Sequence, residues 1–348
     1  MFDKLLNYLS QATSVQPKYA SEHCLVVTKA VGGCKVCADV CPHNAITIKR
    51  QAEIDDIDCT GCGLCVQACP SQALESSVSY QPGAPLKCSQ VRGSAQNVQC
   101  LTRLQPSDVL RLASKKNKVT LVRNECEGCK IGAGMVKEAV DALIEDAQAL
   151  AALKGLELTA DILVTEHYDT TDNPDPVSRR DLLRGGWRGA QRGAADVLAP
   201  LEVLNAAEET EKGLPTELKK HYGLIESAKP EPETPVPWTL PRVAEGCIMC
   251  PVCTNVCPTG AFHRELEPVQ VGGGVLKLEP ERCNGCNACV TSCPVRVISL
   301  DEVTWAELSG GSQEVYRKDG SAAQGTVART PRARTPEGSP EKSGSDNP

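Results

Sequence analysis

The chain has 348 residues, of which 3% are aromatic and just 2 are Phe, so two or three small domains suit it better than one large core. Its formal net charge of −7 argues against a nucleic-acid surface and suits docking onto basic patches of partner proteins, and no apolar run approaches a membrane span. The abnormal figure is Cys 20. No secretory leader is read at the start, so these cysteines are expected to hold metal in a cytoplasmic setting rather than form disulfides.

Residues 1–17 read as a short amphipathic helix, with Leu5, Leu6 and Leu9 on one side. Next comes Cys34-x-x-Cys37-x-x-x-Cys41-Pro42, which has Val31 where a first cysteine would complete the motif. Cys24, further back, is read as the displaced fourth thiolate, with Gly32 and Gly33 allowing the loop between to turn. The alternative is a three-cysteine site holding a [3Fe–4S] cluster or an open iron. A complete copy follows as Cys59-x-x-Cys62-x-x-Cys65-x-x-x-Cys69-Pro70, the spacing that wraps a [4Fe–4S] cluster. Three thiolates on one tight loop reach three corners of one cube, and the proline fixes the chain's exit. Zinc ribbons use isolated Cys-x-x-Cys pairs rather than triples. Short apolar runs, Ala45–Ile48 and Ala73–Leu74, follow each Cys-Pro step.

This rhythm over residues 18–82 closely resembles the bacterial two-cluster ferredoxins. The resemblance implies that the fourth cysteine of each motif serves the other cluster. One cluster would then take Cys34, Cys37, Cys69 and Cys24; the second would take Cys59, Cys62, Cys65 and Cys41. Neither half closes its own cage, so metal substitutes for the missing core, and loss of iron is expected to unfold the unit.

Over residues 83–170 the pattern changes. Strands are expected at Asn97–Leu101, Lys118–Arg123 and Leu158–Glu166, with helices at Pro106–Lys116 and Gly134–Leu153, giving a small parallel α/β layer. Cys100, Cys126 and Cys129 fall at the carboxyl edge of that sheet, where such folds place ligands, and Cys88 in the preceding loop completes a four-thiolate site. A cluster, a zinc ion or redox-active thiols could occupy it. The segment loosely resembles the small iron–sulfur (delta) subunit of methyl-viologen-reducing hydrogenase, on the cysteine after Asn97-Val-Gln, the helix from Ser107 to Ala113 and the later cysteine pair. That resemblance implies a [2Fe–2S] cluster, although the outer spacings depart from that family's. Gly128, Gly132 and Gly134 read as turn glycines or, less simply, as an anion cradle.

Residues 171–241 read as a basic helix carrying Arg179, Arg180, Arg184, Arg188 and Arg192, then a Pro-rich linker over Lys229–Pro241. Ser178-Arg179-Arg180 with Gly186-Trp187-Arg188 resembles the opening of the cytoplasmic ferredoxin associated with periplasmic nitrate reductase (NapF type). Residues 242–308 carry two full motifs. By the same cross-ligation one cluster takes Cys247, Cys250, Cys253 and Cys293, and the other Cys283, Cys286, Cys289 and Cys257. The longer gap between these motifs, with Gly272, Gly273 and Gly274, suggests a hairpin. Residues 309–348 read as a disordered tail.

The expected fold class is α+β: two two-cluster ferredoxin-like units flanking a small parallel α/β domain. No G-x-G-x-x-G fingerprint opens a βαβ unit, so an electron carrier is expected rather than an enzyme. It would hold four [4Fe–4S] clusters and a fifth site, cluster or zinc; a cluster there would make the middle domain a relay between the two units, and zinc would make it structural. Its partners would be protein donors and acceptors, with no nucleic acid and no membrane span. The rival functions are an assembly factor for a molybdenum oxidoreductase and a redox sensor using Cys126 and Cys129. His43 and His263, just after Cys-Pro steps, sit where a hydrogen bond could tune a cluster.

Overall fold

The computed structural model describes residues 15–114, 116–169, 213–267 and 273–319. Residues 1–14 of the amphipathic helix expected over 1–17, the basic helix at 178–192 and the chain beyond residue 319 lie outside the described residues.

The first unit is built from fragments too short to stand alone. Strand β1 (Lys18–Tyr19) is followed by helix α1 (Val36–Asp39), the hairpin β2 (Ile46–Ile48) and β3 (Ala52–Ile54), helix α2 (Leu64–Ala68) and strand β4 (Leu74–Glu75). β2 pairs with β3, and β1 with β4, both antiparallel. Each helix starts inside a cysteine motif and stops at its Cys-Pro step, because proline cannot continue it. Gly63, which precedes α2, has a φ of +91°, and a Cβ there would lie 2.9 Å from the Thr102 carbonyl oxygen, so glycine alone fits.

The middle segment runs β5 (Leu86–Cys88), β6 (Gln96–Val98), α3 (Pro106–Leu112), β7 (Lys118–Arg123), α4 (Val136–Ala152) and β8 (Thr159–Val164). The four strands make one parallel sheet in the order β6-β5-β7-β8. Gln105 and Asp108 form a capping box at the start of α3, with Pro106 in the first turn, where its missing N–H costs nothing. β5 is absent from the sequence expectation: three residues show no alternation, and Cys88 ends that strand rather than sitting in a loop.

The second unit runs α5 (Thr216–Ala228), β9 (Pro235–Val243), α6 (Val252–Val256), β10 (Phe262–Leu266), β11 (Gly274–Leu278), α7 (Ala288–Ser292), β12 (Ile298–Thr304), α8 (Trp305–Ser309) and β13 (Gln313–Lys318). β10 and β11 pair as an antiparallel hairpin, which takes up the longer spacing between the two motifs. Two boundaries differ from expectation. The Pro-rich stretch is not a linker: β9 pairs with β12, burying Val236, Trp238 and Leu240 while Pro235 and Pro237 stay exposed. A strand in a two-stranded ribbon has one unpaired edge, which tolerates the missing N–H groups. The chain past Ser309 also stays ordered through β13, which pairs with β11.

The two ferredoxin-like units touch each other directly. Leu25 and Ala30 from the first pack with Val256 and Ala288 from the second, with Cys34 and Cys286 against them. The Val31 N–H donates to Ser292 Oγ (2.9 Å), Asn284 Nδ2 donates to the Ser71 carbonyl (3.0 Å), and His23 Nδ1 contacts the Pro258 carbonyl (3.3 Å).

Candidate metal centres

The fold gathers all twenty cysteines, none of them in a disulfide, around five cavities. Site 1 is lined by Cys24, Cys34, Cys37 and Cys69. Site 2 is lined by Cys41, Cys59, Cys62 and Cys65. Cys88, Cys100, Cys126 and Cys129 line site 3 in the middle domain. Site 4 has Cys257, Cys283, Cys286 and Cys289, and site 5 has Cys247, Cys250, Cys253 and Cys293. Each group of four matches the set expected from spacing and resemblance. Cys24 is 8% exposed at site 1, while Val31, at the position of the missing cysteine, points out at 61%. Gly32 and Gly33 take φ of +83° and +64° to let that loop turn.

The five cavities are alike in size, about 320 to 360 Å³ counting their open mouths. Their walls are apolar: Leu74, Ile48 and Ala52 at site 1, for example, and Leu276, Ile298 and Val295 at site 5. Such a wall penalises thiolates. Burial pushes the Cys37, Cys100, Cys253 and Cys286 thiols up to about 11, with neighbouring thiolates adding to it, and Cys283 up to about 12. Thiols that burial holds in the neutral form suit a polycationic iron–sulfur core, which supplies the missing positive charge.

Backbone amides point at the sulfurs in a repeating way. The N–H of Ala45 donates to Cys41 Sγ (3.3 Å), that of Ala73 to Cys69 Sγ (3.2 Å) and that of Ala261 to Cys257 Sγ (3.2 Å). All three lie four residues after the fourth cysteine of a motif. Two residues after it, the Ser71 and Thr259 hydroxyls lie 3.8 and 3.6 Å from the sulfurs of Cys69 and Cys257. Such donors fix thiolate orientation and stabilise the reduced cluster. Aligning the repeats finds Ser71 and Thr259; sequence reading passed over them.

Site 3 is assembled differently. Cys88 ends β5, Cys100 follows β6, and Cys126 and Cys129 follow β7, so the parallel sheet delivers all of them to its carboxyl edge. Thr102 Oγ1 donates to Cys100 Sγ (3.3 Å), and Arg123 Nη1 reaches Cys126 Sγ (3.7 Å). Burial pushes the Cys126 thiol up while the Arg123 charge pulls it down. Neither Thr102 nor Arg123 carries a sequence signal. Of the three glycines, Gly132 is the one held by close approach: a Cβ there would overlap Val136 Cγ2, while Cys62 Cβ (3.5 Å) and Cys100 Sγ (3.6 Å) would be in ordinary contact.

Arg103 lies between sites 2 and 3. Its Nη1 donates to the Gly61 carbonyl (3.3 Å) and to the Val15 carbonyl (2.5 Å). Burial lowers its pKa, and the surrounding Cys59, Cys62 and Cys100 thiolates raise it. The two histidines bond elsewhere than to sulfur: His43 Nε2 contacts the Ile131 carbonyl (3.0 Å), and His263 Nε2 pairs with Glu279 Oε1 (2.7 Å).

Residues 32–73 and 246–297 match the family described as the 4Fe-4S dicluster domain. The chain carries two such domains. They account for [4Fe–4S] clusters and enclose motif cysteines of sites 1, 2, 4 and 5. The chain is similar to the "Polyferredoxin protein MvhB" of Methanothermobacter marburgensis, 39% identical over 62 residues, covering 16% of this chain and 15% of that one. It is 38% identical over 52 residues to "Protein NrfC" of Escherichia coli, covering 15% of this chain and 21% of that protein. The iron–sulfur subunit of an arsenate respiratory reductase, ArrB of a Shewanella species, is 29% identical over 103 residues, 30% of this chain and 41% of the other. The chain thus spans less than half of each of these relatives. No solved structure matches it. No helix among the described residues is long and apolar enough to cross a membrane.

Proposed function

We propose that this chain is a polyferredoxin, an iron–sulfur electron carrier that relays low-potential electrons between protein redox partners, free or as a subunit of a larger oxidoreductase. The observation that carries the reading is the set of five like-sized apolar cavities, each lined by four thiols drawn from separated stretches. Sites 1, 2, 4 and 5 would each hold a [4Fe–4S] cluster on the four cysteines named above. When bound, each cluster supplies one-electron chemistry. The protein's part is to bury it, aim amides at its sulfurs and set its potential, within roughly −700 to +450 mV for such centres.

Site 3 would hold a fifth iron–sulfur cluster on Cys88, Cys100, Cys126 and Cys129. Its cavity is comparable in volume to the other four. Among the described residues, no three His, Cys, Asp or Glu side chains gather tightly enough for a single metal ion, which favours a cluster over zinc. The sensor reading loses support here, because Cys126 is buried and Cys129 half-buried. The assembly-factor reading is not carried forward: similar proteins are described as a polyferredoxin and as an iron–sulfur subunit of a reductase. Cytoplasm is the proposed compartment, where thiols stay reduced until they take up iron.

The test is iron and acid-labile sulfide per chain, with EPR of the reduced protein, after purification without oxygen. Four cubanes predict about sixteen irons, a [2Fe–2S] cluster at site 3 makes about eighteen, and a fifth cubane about twenty. A chain holding well under sixteen would overturn the carrier reading.

A further inference from the structure

We infer that the five cysteine sites form one unbranched line in the order 3, 2, 1, 4, 5, so that the middle domain ends the line instead of linking the two ferredoxin-like units. This rests on the electron-carrier reading above. It reverses the expectation from chain order, in which the middle domain stands between the units.

Each step of the line has its own contact. Between sites 3 and 2, Thr102 Oγ1 donates both to Cys100 Sγ (3.3 Å) and to the Cys62 carbonyl (2.6 Å), and Cys62 and Cys100 border the same glycine, Gly132, where a Cβ would lie 3.5 Å from Cys62 Cβ and 3.6 Å from Cys100 Sγ. Thr60 Oγ1 donates to the Ile131 carbonyl (2.8 Å) and Gln99 Nε2 to the Thr60 carbonyl (3.1 Å), closing the same junction. Between sites 2 and 1, Cys65 and Cys37 share one small core with Val66, Ile46 and Leu74. Between sites 1 and 4, Cys34 and Cys286 pack on the same four apolar residues, and Asn284, beside Cys283, bonds Ser71, beside Cys69. Cys257, Cys289 and Cys253 lie in one core, which joins sites 4 and 5.

The middle domain does touch the second unit, but with its back. Leu150 on α4 enters the core of the second unit, and Ser107 on α3 donates to Glu217 on α5 (Oγ to Oε2, 2.8 Å). No cysteine of site 3 belongs to that core; Cys88, Cys100 and Cys126 belong to the core shared with Cys62 and Leu64. Val136, at the start of α4, lines site 3, whereas Leu150, near the end of that helix, enters the second unit's core, about 21 Å further along the axis at about 1.5 Å per residue. Electron tunnelling falls steeply with distance, so the contact chain sets the route.

The bookkeeping along such a line is simple. A reduced one-electron carrier protein at one end loses an electron and the terminal site gains it. Each hop oxidises one site by one electron and reduces its neighbour by one, until an oxidised carrier protein at the far end takes the electron. The ends differ in chemistry: Gln90, Asn124 and Glu125 border site 3, whereas Ile248 (53% exposed) and Val295 (38%) rim site 5.

The experiment uses the full chain, loaded without oxygen and reduced with dithionite, and reads magnetic coupling between clusters by pulsed EPR. In the doubly substituted Cys126→Ala, Cys129→Ala chain, site 3 is lost. The expected result is loss of one coupling, that to site 2, with the coupling across the seam between the units unchanged. Loss of the cross-seam coupling in that variant would overturn the order. Should the variant fail to fold, the wild-type pattern decides. Site 3 is expected to couple strongly to one neighbour, and sites 1 and 4 to each other; strong coupling of site 3 to site 4 or 5 would overturn the inference. Failure of the carrier reading would show instead as missing iron, before any coupling is measured.

Discussion

The first ferredoxin-like unit and the middle domain lie side by side, each with four-cysteine cavities, yet they hold themselves together by different means. The first unit's own core amounts to Cys37, Ile46, Ala52, Cys65, Val66 and Leu74, two of them candidate ligands, and its strands are two or three residues long. The middle domain buries Leu86, Leu101, Leu104, Leu112, Leu121 and Leu143 completely between its sheet and α3 and α4. One region needs its metal to have an interior; the other has an interior and adds a site at its edge. Cysteine number therefore says little about how far a domain depends on iron.

Removing iron should separate the two most sharply. With chelator and reductant, amide hydrogen exchange is expected to collapse over β2, β3 and the motif loops, while Val119 to Val122 in β7 keep their protection. Equal loss in both regions would erase the distinction. Next in size is Leu121→Ala, which empties a fully buried position and should cost about 3 kcal/mol in the middle domain. Ile54→Ala, half-buried in the first unit, should cost about 1 kcal/mol while the iron is present, since metal carries that fold. Urea titration followed by hydrogen exchange at the two places compares them.

Smaller effects probe the junction. Arg103→Met removes a buried cation beside Cys59, Cys62 and Cys100 and should lower the potential of the adjoining centre by about 60 mV, a tenfold change for a one-electron couple, in an EPR-monitored redox titration. An unchanged potential would make Arg103 a packing residue alone. The smallest effect concerns Glu217, whose carboxyl burial raises above the usual range while Ser107 and Lys220 pull it down. An acid with a raised folded pKa lends stability that is complete below its unfolded value and is lost as pH climbs through the folded one. Thermal stability of the α3–α5 contact should fall as pH climbs through that raised value, and Glu217→Gln should flatten the trend.

What the sequence made legible follows from period and spacing. The Cys-x-x-Cys spacings and their Cys-Pro steps single out fifteen thiols because a cubane allows little latitude in loop length, whereas Cys24, outside any such motif, had only its position before Cys34 to mark it. β7, α4 and β8 are long enough for hydrophobic period to declare them. β5 is three residues with no period, so Cys88 looked like a loop residue. β9 was hidden by its prolines, although Val236, Trp238 and Leu240 alternate as a half-buried strand should. The order of the sites in space was not legible at all, since it depends on Leu25, Ala30, Val256 and Ala288, residues too ordinary to announce an interface.

The seam between the two units also sets a timetable. A ribosome releases the first unit and the middle domain well before Val256, Ala288 and Ser292 exist, and domains generally fold as they emerge. During that interval the wall of site 1 beside Cys34 has no cover, and the Val31 N–H has no Ser292 to bond. The second unit, synthesised later, thus supplies the cover for a site whose four cysteines all lie in the first.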